Sequence, residues 1–266
     1  MKIMKRLIYQ VYVGGKKLKL YDTCIESVRK YCQKYNIDHI IQTKPLLRIK
    51  PDVFATNRSK ESYMKYGGYL PIYEKENAFD HFKDYDQIAI IDADIFIKDK
   101  APNIFEEISD TDYDFAACCE REMPLNSNYI AKIQNYSRMQ YSNLKDVDWK
   151  WNQQGGEFFN MGLMLMNKSF AKYLKDQTAK QFLERSEFKR FIDGLGAWKW
   201  STDQTLLNWW IKKEKMKVKH LDWKYNGLYT GVKKDRIKEA HFVHFFLKDK
   251  LPGNGENIKE LLKLVQ

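Results

Sequence analysis

The sequence predicts an α/β fold with a mostly parallel, doubly wound sheet, and two observations carry that prediction. The first is order. Leu7-Ile-Tyr-Gln-Val-Tyr-Val13 is a β-rich run ending at Gly14-Gly15. Residues 20–35 then repeat apolar side chains (Tyr21, Cys24, Ile25, Val28, Tyr31, Cys32) at helical spacing, and His39-Ile-Ile-Gln42 is a second short strand. Strand, helix, strand is how a parallel sheet covered by helices begins. The second observation is Ile88-Ala-Ile-Ile91, an unbroken apolar run that reads as a strand buried on both faces.

The other elements follow in order. Residues 44–68 are irregular and polar, with Pro45, Pro51 and Gly67-Gly68, and read as a long loop with at most one helical turn. Residues 71–82 have helical spacing and lead into the Ile88 strand. Pro102 suits the first position of a short helix through residue 108, and residues 113–119 read as a strand. Residues 126–156 are polar, aromatic and weakly periodic, the kind of insertion that shapes a binding surface. Residues 158–167 form an apolar strand, and Ser169 suits the cap of a helix to about residue 184. Ser201-Thr-Asp203-Gln204 has the form of a capping box opening a helix over 205–211. Residues 213–220 interleave lysines as a protected edge strand does. A last strand over 241–246 and a terminal helix over 258–264 complete the chain. No repeat or linker divides it, so one domain over 1–266 is expected.

Composition narrows the partners. The net charge of +11 favours anionic ones: nucleic acid, phosphorylated small molecules or an anionic membrane face. Cys24, Cys32, Cys118 and Cys119 lack zinc-ligand spacing, and free buried thiols in a reducing compartment fit them best. The first ten residues have too short an apolar core for a signal peptide, and no window approaches a membrane span. A cytoplasmic protein is expected, with peripheral membrane contact through the basic surface left open.

The chemistry starts at Asp92-Ala93-Asp94, on the end of the Ile88 strand. Period-2 geometry puts both carboxylates on one side, with Ala93 opposite. Two like charges so close repel and are costly to desolvate, and a hard divalent ion between them is the economical remedy. On spacing alone, a solvated strand end capping the next turn explains the pair equally well.

Three further signatures recur in order: Asn160-Met-Gly162 leading a Met/Leu-rich strand to Asn167, Asp203-Gln204 opening a helix that runs to Leu207-Asn208, and His244 followed six residues on by Lys250. Together with Tyr85-Asp86 leading to Asp92-Ala-Asp94, they resemble the GT-A-fold glycosyltransferases. The closest likeness is to the glycogenin-like and galactosyltransferase-like group called family eight, and it runs from the first strand to about Lys250. The sequence departs from that pattern at Leu247, where glycine is usual, and at Leu251-Pro252, where Pro-Trp is usual.

The resemblance implies a GT-A fold with a donor-binding half over about 1–116, an acceptor-binding half over about 117–250 and a tail over 251–266. It implies metal-dependent transfer of a sugar, with retention, from a nucleotide-diphosphate donor (a UDP-sugar is expected) to a glycan, glycolipid or glycoprotein acceptor. Asp92, Asp94 and His244 would hold the cation, and imidazole among oxygens favours Mn²⁺ over Mg²⁺; His220 and His241 compete for the third position. Lys250 would contact the diphosphate. Lys75 would reach the donor as a point charge where the family commonly carries arginine. Tyr12 and Val13 would meet base and ribose, Ala93 would share the donor contact, and Asn160 and Asn226 would hold sugar hydroxyls. Asp203 would face the donor sugar and Gln204 its anomeric carbon.

Each residue has a plainer explanation alongside. His244 suits an aromatic strand, Lys250 a solvated surface, Tyr12 the core, and Asp203 and Gln204 an ordinary helix N-terminus. An inverting enzyme would need a carboxylate base, for which Glu120, Glu122 and Glu157 are candidates. Among other functions, a sugar-phosphate nucleotidyltransferase would carry a richer phosphate loop than Gly14-Gly-Lys-Lys17. A phosphatase using Asp-x-Asp would carry it near the N-terminus. A basic nucleic-acid-binding protein would explain the charge but not the motifs, so no nucleic-acid partner is expected.

Overall fold

The computed structural model describes residues 4–13, 18–109 and 112–265; the stretch 14–17, read above as a thin phosphate loop, lies outside them. The chain opens as β1 (Arg6–Val11), α1 (Lys19–Tyr35) and β2 (Asp38–Gln42). α1 buries Leu20, Cys24, Ile25, Val28, Tyr31 and Cys32 on one face and ends at Asn36, which takes the left-handed conformation that stops a helix. The segment expected to be a loop contains α2 (Asn57–Tyr66), ten residues capped by the Thr56 hydroxyl and closed by Gly67 at φ 67°. Its inward face is small and polar, Ser59 and Ser62, so no apolar stripe announced it.

Residues Pro71–Lys83 form a thirteen-residue 3₁₀ helix in place of the α-helix the spacing suggested. It delivers the chain to β3 (Gln87–Ile91), buried at every position. After β3 the chain turns at Asp92–Asp94 and leaves the main sheet as β4 (Ile95–Ile97). The two carboxylates therefore lie on a turn between two sheets and not on one continuous strand. The short helix predicted from Pro102 begins at Ile104, capped by Asn103, whose side chain accepts from the Phe105 N–H. β5 (Phe115–Ala117) is shorter than expected. The weakly periodic insertion holds α3 (Ser127–Tyr141), capped by Asn126.

β6 (Leu163–Asn167) follows. The helix expected from Ser169 is broken: a 3₁₀ segment, Lys168–Leu174, stops where Lys175 and Asp176 turn left-handed, and α4 (Ala179–Leu183) restarts behind a Thr178 capping box. Next come α5 (Lys189–Asp193) and α6 (Asp203–Lys213). The α6 cap is Thr202, one residue later than the predicted box. β7 (Val218–His220), β8 (Gly227–Leu228), β9 (Phe242–His244) and α7 (Ile258–Val265) complete the order.

The main sheet runs β2-β1-β3-β6-β5-β7, and β6 alone is antiparallel to its neighbours. This is the mostly parallel α/β sheet the sequence predicted. β7 lies at its edge, where Lys219 and the preceding Lys217 suit an unpaired flank. A second sheet, β4-β9-β8, takes the last aromatic strand at its centre. Cys24, Cys32, Cys118 and Cys119 are free and buried. No helix among the described residues is long and apolar enough to cross a membrane.

Candidate active site

A cleft of about 510 Å³ opens where β1 and β3 end, between the branch to β2 on one side and the turn to β4 on the other. In open α/β sheets the crevice at such carboxyl ends is where ligands bind, because strand ends there diverge and leave backbone groups unpaired. Val11, Tyr12 and Val13 line one wall with Tyr21, and the Tyr12 and Tyr21 rings sit 5.0 Å apart. The Tyr12 hydroxyl accepts from the Leu18 N–H at 3.3 Å, which fixes the ring at the cleft edge. Lys75, Asp92, Ala93 and Asp94 form the floor, and Arg58, Glu61, Tyr66 and Thr202 form the far wall.

Strand register brings the third donor in. Ile95 of β4 pairs with His244 of β9, and the Phe245 N–H donates to the Asp94 carbonyl at 2.9 Å. The imidazole Nε2 consequently lies 3.2 Å from Asp94 Oδ1 and 3.9 Å from Asp92 Oδ2. One donor atom from each of Asp92, Asp94 and His244 falls within 4.8 Å of the others. Gly162 makes the approach possible: a Cβ there would sit 2.4 Å from His244 Cε1, while its carbonyl accepts from the Asp92 N–H at 2.8 Å.

The tautomer of His244 follows from a chain of hydrogen bonds. Asn160 donates its amide to Glu120 Oε1 at 2.7 Å, so its Oδ1 points the other way and accepts from the Gly162 N–H and from Asn226 Nδ2. Asn226 is thereby left with Oδ1 toward the imidazole, where it accepts from Nδ1 at 3.0 Å. A neutral His244 then presents the Nε2 lone pair to the two carboxylates, which is the arrangement a cation needs and which two carboxylates alone cannot use. Burial pulls His244 down, but the Asp94 carboxylate outweighs it and holds the imidazole above its ordinary value. Burial likewise pushes Asp94 up, and His244 more than offsets it. Two oxygen donors and one imidazole with room above them suit a borderline divalent ion, so the residues present fit the expected Mn²⁺.

Lys75 is more deeply engaged than a point contact to a donor. It is 7 % exposed, and its Nζ lies 2.8 Å from Asp203 Oδ2, 3.1 Å from Asp92 Oδ1 and 2.7 Å from the Met161 carbonyl. Burial disfavours the ammonium, but Asp203 and Asp92 overcome that and hold its proton firmly. For Asp203, burial pushes the carboxyl up and Lys75 offsets part of the rise. Next to it Glu76 is wholly buried with neither carboxylate oxygen hydrogen-bonded, and burial pushes its carboxyl well up.

The remaining predicted residues divide. Asp203 begins α6 with its carboxylate on Lys75, behind the cleft floor. Gln204 Oε1 accepts from the Met161 N–H at 3.3 Å and its amide faces Glu120 at 3.4 Å. Asn160 is 8 % exposed and serves the hydrogen-bond chain to His244. Lys250 is exposed and does not line the cleft. Leu247, at φ 58° in the region glycine prefers, turns the chain so that Lys248 enters instead, with its Nζ 4.0 Å from the Tyr21 ring. Of the candidate bases, Glu120 is buried under Asn160 and Gln204, Glu122 pairs with His220 at 2.9 Å, and Glu157 is tied to Lys212 at 2.8 Å. None of the three lines the cleft. Cys119, Glu122 and His220 also bring donor atoms together, but burial pushes the Cys119 thiol up to about 12, and His220 is satisfied by Glu122. His241 lies outside the cleft, its backbone N–H bonded to Lys224. Arg58, Glu61 and Tyr66 carried no signal in the sequence, because α2 itself did not, and Thr202 was read only as part of a helix cap.

No protein-family model matches the sequence, and no curated protein matches it. Solved structures do match the fold. A glycosyltransferase involved in glycosylation of the major capsid of PBCV-1 superposes with TM-score 0.54 at 11 % identity, over 96 % of this chain and 99 % of that one. The galactosyltransferase LgtC, solved with donor and acceptor sugar analogues, gives 0.52 at 12 %, over 97 % and 95 %. Mouse xyloside xylosyltransferase 1 gives 0.50 at 12 %, over 94 % and 100 %. The chain therefore has the GT-A glycosyltransferase fold, with an acidic turn and an imidazole meeting at the crevice of its main sheet.

Proposed function

We propose that the protein is a metal-dependent glycosyltransferase that takes a sugar from a nucleoside-diphosphate donor, with UDP-sugars the first candidates. The observation that supports this most is the convergence of Asp92, Asp94 and the tautomer-fixed His244 on the floor of a cleft with an aromatic and cationic wall. A diphosphate leaving group needs its developing charge neutralised, and a divalent ion when bound supplies Lewis-acid stabilisation of that group. The chain's own residues supply the rest. Tyr12 and Tyr21 offer a surface for base and ribose, and Lys248 adds positive charge at that side of the cleft. Lys75 fixes Asp92 and Asp203 relative to each other, so the donor meets a preorganised floor. Residues from the first 116 dominate the cleft, in keeping with a donor-binding half there and an acceptor-binding half over 117–250.

We infer retention of anomeric configuration. Among the described residues, the carboxylates lining the cleft are Glu61, Asp92 and Asp94, and Glu61 is paired with Lys65 at 2.8 Å. With two carboxylates committed to the cation, same-face attack assisted by the leaving group requires no protein nucleophile. The acceptor is expected to be a glycan, glycolipid or glycoprotein.

The test is a thermal-shift screen of nucleotide-sugars with and without Mn²⁺, followed by donor hydrolysis. A shift that needs both metal and a nucleotide-sugar, and that disappears in Asp94→Ala, is the expected result. Donor turnover unchanged by that substitution would sink the assignment.

A further inference from the structure

The wall of the cleft built by α2 continues outward into a surface with no role in the chemistry above. Thirteen large apolar side chains are exposed among the described residues, and eight of them fall in 46–72 and 195–200; two of these, Tyr66 and Ile72, line the cleft, which leaves six outside it. Phe54 is 97 % exposed and Met64 76 %, followed by Trp200, Leu46 and Tyr63. The two segments are joined: the Thr56 hydroxyl donates to the Asp193 carbonyl, the Asp52 N–H donates to Asp193 Oδ1 at 2.9 Å, and Gly194 lies against Arg58. Phe54, Tyr63 and Met64 flank an open groove of about 760 Å³ with Lys60 at its side. Asp193 and its neighbours form one side of a second hollow of about 470 Å³, whose rim carries Arg48, Lys50, Lys180, Arg185 and Lys189 against Glu184 and Asp193. An exposed apolar cluster of this size is costly in water unless something covers it.

We propose that this face docks the protein on an anionic phospholipid bilayer. The apolar groove and the cationic hollow meet at Thr56 and Asp193, so one contact surface offers hydrocarbon-seeking side chains beside the exposed cations Arg48 and Lys50, with Lys180 and Lys189 held at its edge by Glu184, Asp52 and Asp193. That pairing matches the boundary of an anionic membrane, where aromatic and Met side chains enter the headgroup region and lysines gain from the surface potential. A protein partner would need an acidic, apolar surface of matching shape. A bilayer needs only charge and depth, and the chain's net charge of +11 favours it from long range. α2 carries Arg58, Glu61 and Tyr66 to the cleft and Lys60, Tyr63 and Met64 to the groove, so docking would set the cleft mouth beside the lipid surface. The proposal stands on this surface and not on the sugar-transfer reading.

Co-sedimentation of the intact, unliganded protein with vesicles tests it, comparing phosphatidylcholine alone with phosphatidylcholine plus phosphatidylglycerol. The expected result is binding to the anionic vesicles only, weakened by added salt. Phe54→Glu/Met64→Glu should weaken it by roughly tenfold or more, and Lys50→Glu/Lys189→Glu by a similar factor. Lys259→Glu/Lys263→Glu, on exposed positions of α7, carries the same charge change as the second pair and should bind like the unmodified chain. Binding that survives both face variants, or that is lost only with the α7 pair, overturns the proposal. So does absence of binding to either vesicle, or a sedimentation-velocity dimer that Phe54→Glu/Met64→Glu dissolves. Donor hydrolysis in the same variants keeps the two readings separate, since a failed vesicle result leaves turnover standing.

Discussion

Two acidic groups sit at opposite ends of β6 and are treated in opposite ways. At one end Asp114 is 3 % exposed and fully satisfied: Lys172 Nζ donates to Oδ1 at 2.9 Å, and the Tyr173 hydroxyl and Lys217 N–H donate to Oδ2 at 2.7 and 3.1 Å. At the other end Asp94 has His244 at 3.2 Å, shared with Asp92, while Lys75 is divided between Asp92 and Asp203. The first cluster closes on itself and adds stability. The second is left short of positive charge and open to the cleft. Buried acids are tolerated in either case, but only the unfinished set has capacity for a ligand.

The widest separation is expected from Asp94→Ala. It should lower metal-dependent donor turnover by about a thousandfold, a loss of about 4 kcal/mol in transition-state stabilisation, while leaving the chemical denaturation midpoint nearly unchanged. A large fall in that midpoint would show that Asp94 is structural, like Asp114. Lys75→Met should cost roughly 3 kcal/mol of folding stability, because it strands the buried Asp203 without a cation and leaves Asp92 only His244 at 3.9 Å. Urea unfolding measures this, and Mn²⁺ should restore part of the loss in the variant.

Asp114 gives the pH signature. Burial raises its carboxyl, but hydrogen bonds led by Lys172 outweigh that and lower it from 3.8 to about 2. Stability from a depressed carboxyl is present above its unfolded value and is lost as pH falls through the folded one. The expected contribution of about 2 kcal/mol should therefore fade between about pH 4 and pH 2. Asp114→Asn should remove that dependence without changing Mn²⁺ affinity, and a change in affinity would blur the contrast between the clusters. The smallest effect is expected for Asn226→Ala, which frees the His244 ring and should weaken Mn²⁺ binding by roughly tenfold in calorimetry. Unaltered affinity there would remove the tautomer argument.

Much of this was legible from residues alone, for identifiable reasons. The β1–α1–β2 unit and β3 announce themselves because their apolar side chains are buried in regular register. The acidic turn stands out because two carboxylates interrupt an apolar run. The meeting of His244 with that turn was legible only as a family resemblance, since nothing local in residues 241–246 points to residue 94. α2 escaped notice because it buries two serines and turns Tyr63, Met64 and Tyr66 outward. α3 was blurred because Ser137 and Gln140 share its buried face with Tyr129, Ile133 and Tyr141. Lys248 in place of Lys250 depended on one backbone angle, at Leu247, which composition does not encode.

The departure of β4 from the main sheet has a consequence for how the protein comes into being. Ile95 and His244 are neighbours across a ladder yet about 150 residues apart in the chain, so closing that loop carries a large entropic cost that only late, cooperative contacts repay. A chain cut short before residue 244 would lack the strand that carries the imidazole to Asp92 and Asp94, so the three donors could not meet.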